Sequence, residues 1–405
     1  MDDIHNFIGK LQHPKVANLL TRYVSWRRLV AEARRSGAPR PKVPEIGPIS
    51  INLDLTTACN FRCDHCIDWD LLNVKARHRE NEIRQSLVEL RRRGLESVIL
   101  IGGGEPTLYP HFEEMISFIK SLGLQVAIVS NGSRCDRLVQ VAPDLAKGDW
   151  IRLSLDAGSN SLFRAMHKPV NESINLDSIC GQVPAIRAAN PDISIGYSFI
   201  VVWDGTTRGD SSIHENIREI VDAARRAKRS GFHYITYKAV LERWQDGSEV
   251  MAPKTCTRAV DDVLYEIRAE LAKAHALEDE TFSVKESTNI RALNDRSWAD
   301  LKQQPHTCHM QILRQVLTPL GIFNCPAHRG VEWARIGDKN GYADFQRTAA
   351  ITEATADMLD TFDAQCRCAE VTCIYNSTNW WLEDLIEGRA VLPDGLEPSW
   401  EDFFL

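Results

Sequence analysis

The strongest constraint on the fold is a regular alternation of short apolar stretches with longer amphipathic ones, which begins near residue 50. Six stretches are predicted to be β-strands, and they cover residues 50–55, 97–101, 125–130, 149–155, 193–202 and 233–238. Predicted helices lie between them, for example at 78–94, 111–122, 173–189 and 213–230. Strands that alternate with helices pair in parallel through right-handed crossovers, so the sequence predicts an α/β fold that closes into a barrel or stays open as a sheet.

Composition is that of an ordinary globular protein with one large domain or two moderate ones. The chain has 405 residues, of which 43% are hydrophobic and 25% are charged, close to average usage. Its formal net charge of −7 argues against general nucleic-acid binding, which relies on cations that neutralise phosphates. The first residues are acidic and polar rather than signal-like, and no apolar run is long enough to span a bilayer. We therefore expect a cytoplasmic enzyme that binds neither nucleic acid nor membrane.

Cysteine usage indicates metal binding. With eleven cysteines and no secretion signal, disulfides are not expected. Cys59, Cys63 and Cys66 follow the first predicted strand at the spacing C-x3-C-x2-C. Three thiolates can bind three irons of a [4Fe–4S] cluster and leave one iron open, and an open metal position is typical of catalytic sites. A structural zinc site is the alternative, although such sites favour two C-x2-C pairs.

Polar motifs follow the next predicted strands, so they are expected at the same edge as the cysteine loop. Parallel barrels place their chemistry at this C-terminal edge of the strands. The second strand is followed by a glycine run that includes Gly103 and Gly104 and ends in Glu105. The third strand ends next to Asn131, and the fourth contains Ser154 in a Ser-Leu-Asp sequence. Glycines let the backbone approach a ligand closely and adopt positive φ, and Glu105 adds a carboxylate.

The cysteine spacing, the Gly-Gly-Glu motif and the Ser-x-Asp strand together resemble the radical S-adenosylmethionine (SAM) superfamily. The resemblance implies a partial (β/α)6 TIM-like barrel, which we expect in residues 49–240. It also implies that the methionine moiety of SAM fills the open iron of the cluster. Reduction by a donor such as flavodoxin or ferredoxin would then generate a 5′-deoxyadenosyl radical, which abstracts a hydrogen atom from an unactivated C–H bond.

The same resemblance implies roles for individual residues around the cofactor. Glu105 would hydrogen-bond the amino group of the methionine moiety, and Ser154 would approach the ribose unless it is a buried capping serine. Asn131 is similar to a polar residue near the cofactor in some family members, or it belongs to an ordinary Asn-Gly turn. His65 stands where the family often has an aromatic residue beside adenine, or it caps the loop.

A second group of cysteines follows residue 300. It comprises Cys308, Cys325, Cys366, Cys368 and Cys373. Between the first two, Pro319 and Gly321 separate apolar runs, which predicts a β-hairpin. This arrangement resembles the opening of the SPASM and twitch domains, which hold auxiliary iron–sulfur clusters. A full SPASM domain uses more than five cysteines, so the resemblance implies at most one fully ligated auxiliary [4Fe–4S] cluster. Which of the last three cysteines is spare stays open, and a zinc site or free thiols are the alternatives.

Two further residues are candidates for catalysis. Cys256 lies beyond the sixth strand, and its thiol is either inert or a hydrogen-atom donor to a substrate radical, as in an epimerase. Lys238 lies at the end of the sixth strand, where it would bind an anionic group, act as a base or simply be solvated. Arg164 or Lys168 could pair with the carboxylate of the cofactor, and surface cations are the alternative.

The domain prediction has four parts. An N-terminal helix at 14–36 and a proline-rich linker form residues 1–48, the barrel covers 49–240, a helical connection covers 241–304 and the auxiliary-cluster region covers 305–405.

The predicted function is hydrogen abstraction from a small polar metabolite, such as a sugar, an aminocyclitol or a nucleotide. Oxidation is favoured over epimerisation because the auxiliary cysteines are a clearer feature than one lone thiol. The first alternative is a maturase of a ribosomally made peptide, although the segment before the first strand is short for a peptide-recognition domain. The second is a non-catalytic iron–sulfur sensor or scaffold, which would leave the Gly-Gly-Glu and Ser-x-Asp motifs without a purpose.

Overall fold

A computed structural model describes residues 5–209, 211–244, 247–392 and 401–405, and its centre is one ten-stranded sheet. The strands, numbered along the chain, are β1 (Ser50–Leu53), β2 (Ser97–Leu100), β3 (Gln125–Ser130), β4 (Trp150–Ser154), β5 (Ser194–Val201), β6 (Tyr234–Ala239), β7 (Ser283–Glu286), β8 (Arg314–Thr318), β9 (Gly321–Phe323) and β10 (Arg335–Gly337). They lie side by side in the order β7-β6-β5-β4-β3-β2-β1-β8-β9-β10.

The predicted α/β fold class is confirmed, with a larger sheet than expected. Strands β1 to β6 are the six predicted ones, and they pair in parallel in chain order. Two unpredicted parallel pairings extend them, β7 on β6 and β8 on β1. The predicted hairpin is present as antiparallel β8 and β9, and β10 pairs with β9. Within the described residues β7 and β10 remain the two edges, so the sheet is open rather than a closed barrel.

Fifteen helices are found in the described part of the chain. They are α1 (Phe7–Leu11), α2 (Pro14–Ser36), α3 (Glu80–Arg92), α4 (Phe112–Ser121), α5 (Cys135–Val141), α6 (Asn160–His167), α7 (Leu176–Cys180), α8 (Val183–Ala189), α9 (Ile220–Arg229), α10 (Val260–His275), α11 (Thr288–Asp295), α12 (Met310–Leu313), α13 (Phe345–Thr361), α14 (Ala364–Arg367) and α15 (Asn376–Glu387). The helix predicted at 173–189 is divided into α7 and α8. Gly181 caps the end of α7, and Pro184 stands in the first turn of α8, where its missing N–H costs nothing.

The two faces of the sheet differ in chemistry. Side chains alternate between the faces along a strand. On β4, Ile151 and Leu153 are fully buried in the large apolar core that also includes the helices α3 to α11. Arg152 and Ser154, on the opposite or inner face, are half-buried. Polar side chains are therefore concentrated on the inner face, and this face is reached from the C-terminal edge of the sheet.

The two ends of the chain pack together. The predicted helix at 14–36 is confirmed as α2, and it packs on α15, with the Tyr23 hydroxyl 2.7 Å from Nδ1 of the buried His309. Residues 401–405 continue this contact to the inner face, where the rings of Phe404 and Trp150 meet with centroids 5.4 Å apart. The C-terminal segment thus lies at the end of the sheet opposite the cysteine loop. None of the helices in the described ranges is both long and apolar enough to cross a membrane.

Candidate functional site

The loop of Cys59, Cys63 and Cys66 leaves the C-terminal end of β1 and is held by hydrogen bonds at several points. The backbone N–H of Cys59 donates to Oδ1 of Asn73 at 3.0 Å, and that of Cys66 donates to the Cys63 carbonyl at 3.3 Å. The backbone N–H of Arg62 donates to the carbonyl of His167 at 3.0 Å, which joins the loop to the end of α6. These hydrogen bonds tie the loop to α6 and to Asn73.

The chemistry of the three thiols fits an iron–sulfur cluster. Burial raises the pKa of each, that of Cys63 well above the usual range and that of Cys66 to about 12. The charges of the other two thiolates raise the pKa of Cys63 further, so the three sulfurs lie close enough to act on one another. Three soft thiolates that converge in a buried place need a compensating cation, and a cluster of irons supplies it.

His167 and Asp156 support the cysteine loop; sequence reasoning missed His167 and noted Asp156 only as the end of the Ser-x-Asp motif. Nδ1 of His167 lies 3.2 Å from Sγ of Cys63, and its Nε2 lies 3.0 Å from the Leu155 carbonyl and 3.3 Å from Oδ2 of Asp156. Nε2 of His65 lies 2.9 Å from the same Oδ2. Burial alone would raise the pKa of Asp156, but hydrogen bonds with the two histidines hold it well below its usual range.

The two histidines and the aspartate are a compact group, because their ligand atoms all lie within 4.8 Å of one another. Asp156 has a left-handed backbone, with φ of +49°, and its Oδ1 accepts a hydrogen bond from the Ile200 N–H at 2.7 Å. The structure thus assigns His65 a partner on the turn after β4. Its predicted place beside adenine stays a prediction.

The glycine run after β2 packs directly against the cysteine loop. Gly102 and Gly103 have φ of +85° and +62°, which favour glycine. A Cβ on Gly104 would lie 2.5 Å from the carbonyl oxygen of Ala58, so only glycine fits beside the start of the loop. The backbone N–H of Glu105 donates to the same Ala58 carbonyl at 2.8 Å. The two motifs that the sequence predicted to be neighbours are therefore in contact.

Glu105 organises the ends of β2 and β3. Its carboxylate is 3% exposed and accepts hydrogen bonds from the N–H and hydroxyl of Thr107 at 3.1 and 2.6 Å, the hydroxyl of Ser130 at 2.8 Å and the N–H of Asn131 at 2.7 Å. Burial raises the pKa of Glu105 despite these donors. Both oxygens thus already have protein partners, and the predicted contact with the amino group of SAM stays a prediction.

Asn131 and Ser154 lie on either side of this network. The side-chain amide of Asn131 donates to Oδ1 of Asn60 in the cysteine loop at 3.0 Å, while its own Oδ1 accepts from the Ser133 N–H at 2.9 Å. Asn131 therefore both makes a local turn and faces the predicted cofactor loop. Ser154 lies on the inner face of β4, in register with Ser198 of β5. Its predicted contact with ribose is untested.

The other predicted cations lie in two different environments. Lys238 is on the inner face of β6, where burial and the charge of Arg152 lower its pKa to about 7. Lys168 is half exposed and pairs with Asp64 at 2.5 Å, and the guanidinium of Arg164 donates to the Glu172 carbonyl at 3.4 Å. Lys168 and Arg164 therefore have partners within the protein, whereas Lys238 lies on the inner face of the sheet.

Cys256 follows a short 3-10 turn, Pro253–Thr255, and packs at the edge of the main core. The N–H of the next residue, Thr257, donates to Oδ2 of Asp204 at 2.9 Å, which places the turn beside the segment that leaves β5. Burial raises the pKa of the Cys256 thiol to about 11, so it carries a proton at neutral pH. Its predicted role as a hydrogen-atom donor is untested.

Among the C-terminal cysteines, Cys308, Cys325 and Cys373 are near enough for their charges to influence one another. Burial raises the pKa of all three, that of Cys325 to about 12, and the charge of Cys308 raises the pKa of both others further. Cys368 is half-buried, with Sγ 3.6 Å from Nε2 of His328. Cys366 is exposed, and its thiol donates to Oδ2 of Asp363 at 3.6 Å.

Arg329 links this C-terminal region to the glycine run. Its Nε lies 3.1 Å from Oδ2 of Asp54 at the end of β1, and its Nη1 donates to Oδ2 of Asp68 at 2.8 Å. The same Asp68 oxygen accepts a hydrogen bond from the N–H of Gly103 at 3.2 Å. All of these side chains are buried. No sequence motif marks Arg329, because its partners lie far away along the chain.

Comparison with known proteins agrees with this geometry. Residues 53–241 match the radical SAM superfamily. An S-adenosylmethionine-dependent nucleotide dehydratase of a Thermoplasmatales archaeon is 37% identical over 110 residues, which are 27% of this chain and 38% of the relative. The mycofactocin maturase of Mycobacterium tuberculosis is 31% identical over 114 residues, 28% of each chain. The chain spans only 38–56% of the length of three curated nucleotide dehydratases that it matches.

Solved structures share the fold at low sequence identity. SuiB of Streptococcus suis is 12% identical with a TM-score of 0.55, and the match covers 80% of this chain and 69% of SuiB. A structure described as native anSMEcpe with bound AdoMet is 13% identical with a TM-score of 0.54, over 84% of this chain and 98% of that one. The likeness extends past the matched superfamily region into the C-terminal part of the chain, and it concerns the fold alone.

Proposed function

We propose that the protein, whose residues 53–241 match the radical SAM superfamily, holds a [4Fe–4S] cluster and SAM and abstracts a hydrogen atom from a small polar metabolite. One observation carries the proposal. At the C-terminal edge of the sheet, the backbone N–H of Glu105 joins the glycine run to the Ala58 carbonyl at the start of the cysteine loop, and the Glu105 carboxylate joins it to the end of β3 through Ser130 and Asn131. Such an edge is where parallel α/β folds assemble active sites.

Each part of this edge has a task in the proposed enzyme. Cys59, Cys63 and Cys66 would hold the cluster through their thiolates, and SAM would bind beside them through its methionine moiety. The glycines give SAM close access to the backbone, and Glu105 fixes the strand ends that surround it. Ser154 and Asn131 face SAM from the next two strands. The bound cofactors supply hydrogen-atom abstraction, and the protein positions the substrate carbon and excludes water.

The C-terminal region, residues 305–405, is proposed to hold one auxiliary [4Fe–4S] cluster in a SPASM- or twitch-like domain. The three thiols that act on one another, Cys308, Cys325 and Cys373, support this assignment. Cys368 is half-buried and is the proposed fourth ligand, whereas the exposed Cys366 is the proposed spare. The auxiliary cluster would accept the second electron in an oxidation, while Cys256 would return a hydrogen atom in an epimerisation.

A small substrate is favoured by the chemistry of the inner face. Half-buried serine, arginine and lysine side chains line it on β4 to β6, and polar groups of this kind select small, charged molecules. Similarity to nucleotide dehydratases supports a nucleotide among the candidate substrates. Similarity to mycofactocin maturase supports the second candidate function, the modification of a ribosomally made peptide.

The test of the proposed function is cleavage of SAM. After anaerobic reconstitution and reduction with dithionite, the protein should convert SAM into 5′-deoxyadenosine and methionine, and Cys63→Ala should abolish this conversion. Cys135→Ala is the matched control, because this buried thiol lies outside both cysteine groups. Absence of 5′-deoxyadenosine with a fully assembled cluster would favour the non-catalytic sensor instead. Turnover that requires a precursor peptide would favour the maturase.

A further inference from the structure

Three cations face the inner side of the sheet without an acidic partner among the residues that the structure describes. Arg152 lies on β4, with its guanidinium 4.8 Å above the ring of Trp150, and its buried Nε has no hydrogen-bond partner among the described residues. Lys238 lies on β6, and Lys285 on β7. The ammonium of Lys285 is 4.9 Å from the centre of the Tyr234 ring. Stacking on rings stabilises such cations only in part, so the charges remain largely uncompensated.

Strand register places hydroxyl groups between these cations. Ser154 of β4 pairs with Ser198 of β5, Ser198 pairs with Thr236 of β6, and Thr236 pairs with Lys285 of β7. The fully buried hydroxyl of Thr236 has no hydrogen-bond partner among the described residues. One row of the sheet thus offers three hydroxyls and an ammonium. An unsatisfied hydroxyl in such a place needs a ligand or water.

The other two cations stand on either side of this row. Arg152 precedes Ser154 by two residues, and Lys238 follows Thr236 by two, so their backbones are about 13 Å apart along the strands. Arginine and lysine side chains are long enough to converge from both sides on a group bound at the row. The charge of Arg152 already acts on Lys238, because it contributes with burial to the lowered pKa of that lysine.

The acidic groups near the three cations are already paired with other residues. Asp156, whose charge acts on Lys238, is hydrogen-bonded by the two histidines of the cysteine loop region and by the Ile200 N–H. Asp402, whose charge acts on Tyr234, pairs with Lys10 at 3.1 Å. Three like charges at a partly buried place are unfavourable unless an anion joins them.

We propose that Arg152, Lys238 and Lys285, with the hydroxyl row of Ser154, Ser198 and Thr236, bind the phosphate group of the substrate. This inference rests on the proposed function, because it names the class of molecule that enters the same site. A phosphate group carries a charge near −2 and several acceptor oxygens, which matches three cations and three hydroxyls better than one carboxylate does. The planar guanidinium of Arg152 can donate hydrogen bonds to two phosphate oxygens at once, and the lysines contribute compact positive charges.

The experiment measures phosphate binding directly, without SAM. Inorganic pyrophosphate is titrated into the anaerobically reconstituted protein by calorimetry, and citrate serves as the carboxylate probe. We expect pyrophosphate to bind more tightly than citrate, and Arg152→Gln and Lys238→Gln each to weaken it by about tenfold or more. Arg225→Gln is the matched control, since this exposed arginine pairs only with Asp222 on α9 among described groups, and it should bind like the wild type. Equal affinity in all four proteins, or tighter binding of citrate, would overturn the inference.

Thermal denaturation gives a second measurement if a variant is poorly stable. Pyrophosphate should raise the melting temperature of the wild type and of Arg225→Gln but not that of Lys238→Gln. An equal rise in all three would contradict the assignment. The proposed reaction and the phosphate site can be rejected independently of each other. Pyrophosphate binding without SAM cleavage would reject the proposed reaction alone, and SAM cleavage without pyrophosphate binding would reject the phosphate site alone.

Discussion

Nδ1 of His167, at the end of α6, lies 3.2 Å from Sγ of Cys63, although the two residues are 104 positions apart in the chain. The other ring nitrogen faces the Leu155 carbonyl and the Asp156 carboxylate. A sulfur that is bound to iron carries no proton, so a hydrogen bond at this contact requires that Nδ1 donate. Because Nε2 faces two acceptors, His167 then carries a proton on both nitrogens, and the Asp156 carboxylate stabilises the resulting positive charge. Hydrogen bonds to the sulfurs are among the factors that set the potential of an iron–sulfur cluster.

Replacement of His167 should therefore change the reduction potential of the cluster. His167→Phe keeps a ring that can stack on Phe163 but removes the donor, so the more negative reduced state loses stabilisation. We expect the potential to fall by roughly 20–60 mV, which corresponds to about 1 kcal/mol for one electron. The measurement is a redox titration of the electron paramagnetic resonance signal that SAM perturbs. His111→Gln, a change at an exposed histidine, is the control. An unchanged potential would show that the contact has no electrostatic effect on the cluster.

Loss of the Glu105 carboxylate should affect stability as well as cofactor binding. Glu105→Ala leaves four donors of Thr107, Ser130 and Asn131 without their acceptor in a buried place. We expect the free energy of unfolding to fall by about 2–4 kcal/mol and the affinity for SAM to fall at least tenfold. Urea unfolding and equilibrium dialysis measure the two effects. Glu114→Ala, at an exposed position of α4, should change neither. Wild-type SAM affinity in Glu105→Ala would remove the residue from the cofactor site.

Iron content should distinguish the C-terminal cysteines. The wild type should bind about eight irons after anaerobic reconstitution. Replacement of Cys59, Cys63 and Cys66 in the cysteine loop by Ala should leave about four. Cys373→Ala should lose about four, because this half-buried thiol is one of the three that act on one another, whereas replacement of the exposed Cys366 by Ala should keep about eight. Chemical iron and sulfide analysis gives these numbers. Zinc in place of iron at this group, or equal loss in the two variants, would contradict the assignment.

Much of this fold could be predicted because the information is local. The strands β1 to β6 are apolar runs bounded by polar segments, and the structure moves their ends by two residues at most. Strand β7 was missed because its sequence, Ser-Val-Lys-Glu, is short and mostly polar, and its pairing with β6 depends on tertiary packing. Strand β8 was recognised only as half of a hairpin, since its parallel contact with β1 joins residues more than 260 positions apart.

The candidate site, like the fold, could be predicted only where its residues belong to contiguous sequence motifs. Cys59, Glu105 and Ser154 belong to contiguous motifs, so their types and order pointed to one edge of the sheet. Arg329 and His167 have no motif of their own, and only the folded chain brings them to the cysteine loop and the glycine run. The orientation of Arg152 follows from the alternation along β4, but the absence of an acidic partner among the described residues depends on what the neighbouring strands present to it.

The fate of the substrate radical can be read from product mass in deuterated water. Since the pKa of the Cys256 thiol is raised to about 11, this group stays protonated at neutral pH, and in deuterated water an S–D group there could deliver deuterium. An oxidation product would be two hydrogens lighter than the substrate and free of solvent deuterium, and this is the outcome we expect. Cys256→Ala should then leave product formation unchanged. A product one mass unit heavier that disappears in Cys256→Ala would establish epimerisation, and loss of water would match the nucleotide dehydratases.

The lowered pKa of Lys238 predicts how stability depends on pH. In the unfolded chain this lysine has its ordinary pKa near 10.5, and in the folded protein burial and Arg152 lower it to about 7. Between these values the unfolded state binds more protons, so the contribution of Lys238 to the free energy of unfolding rises as the pH increases from 7 to 10. Below pH 7 the lysine is charged in both states, and its burial is most unfavourable.

Lys238→Met should therefore be more stable than the wild type at pH 7, and the difference in the free energy of unfolding should shrink by about 1–3 kcal/mol at pH 9. Other groups on the inner face, Arg152, Asp156, Tyr234 and Lys285, are common to both proteins, so their titration is largely removed in the comparison. Urea unfolding at the two pH values measures the difference, and a gap that stays constant would show that Lys238 is not held in this environment.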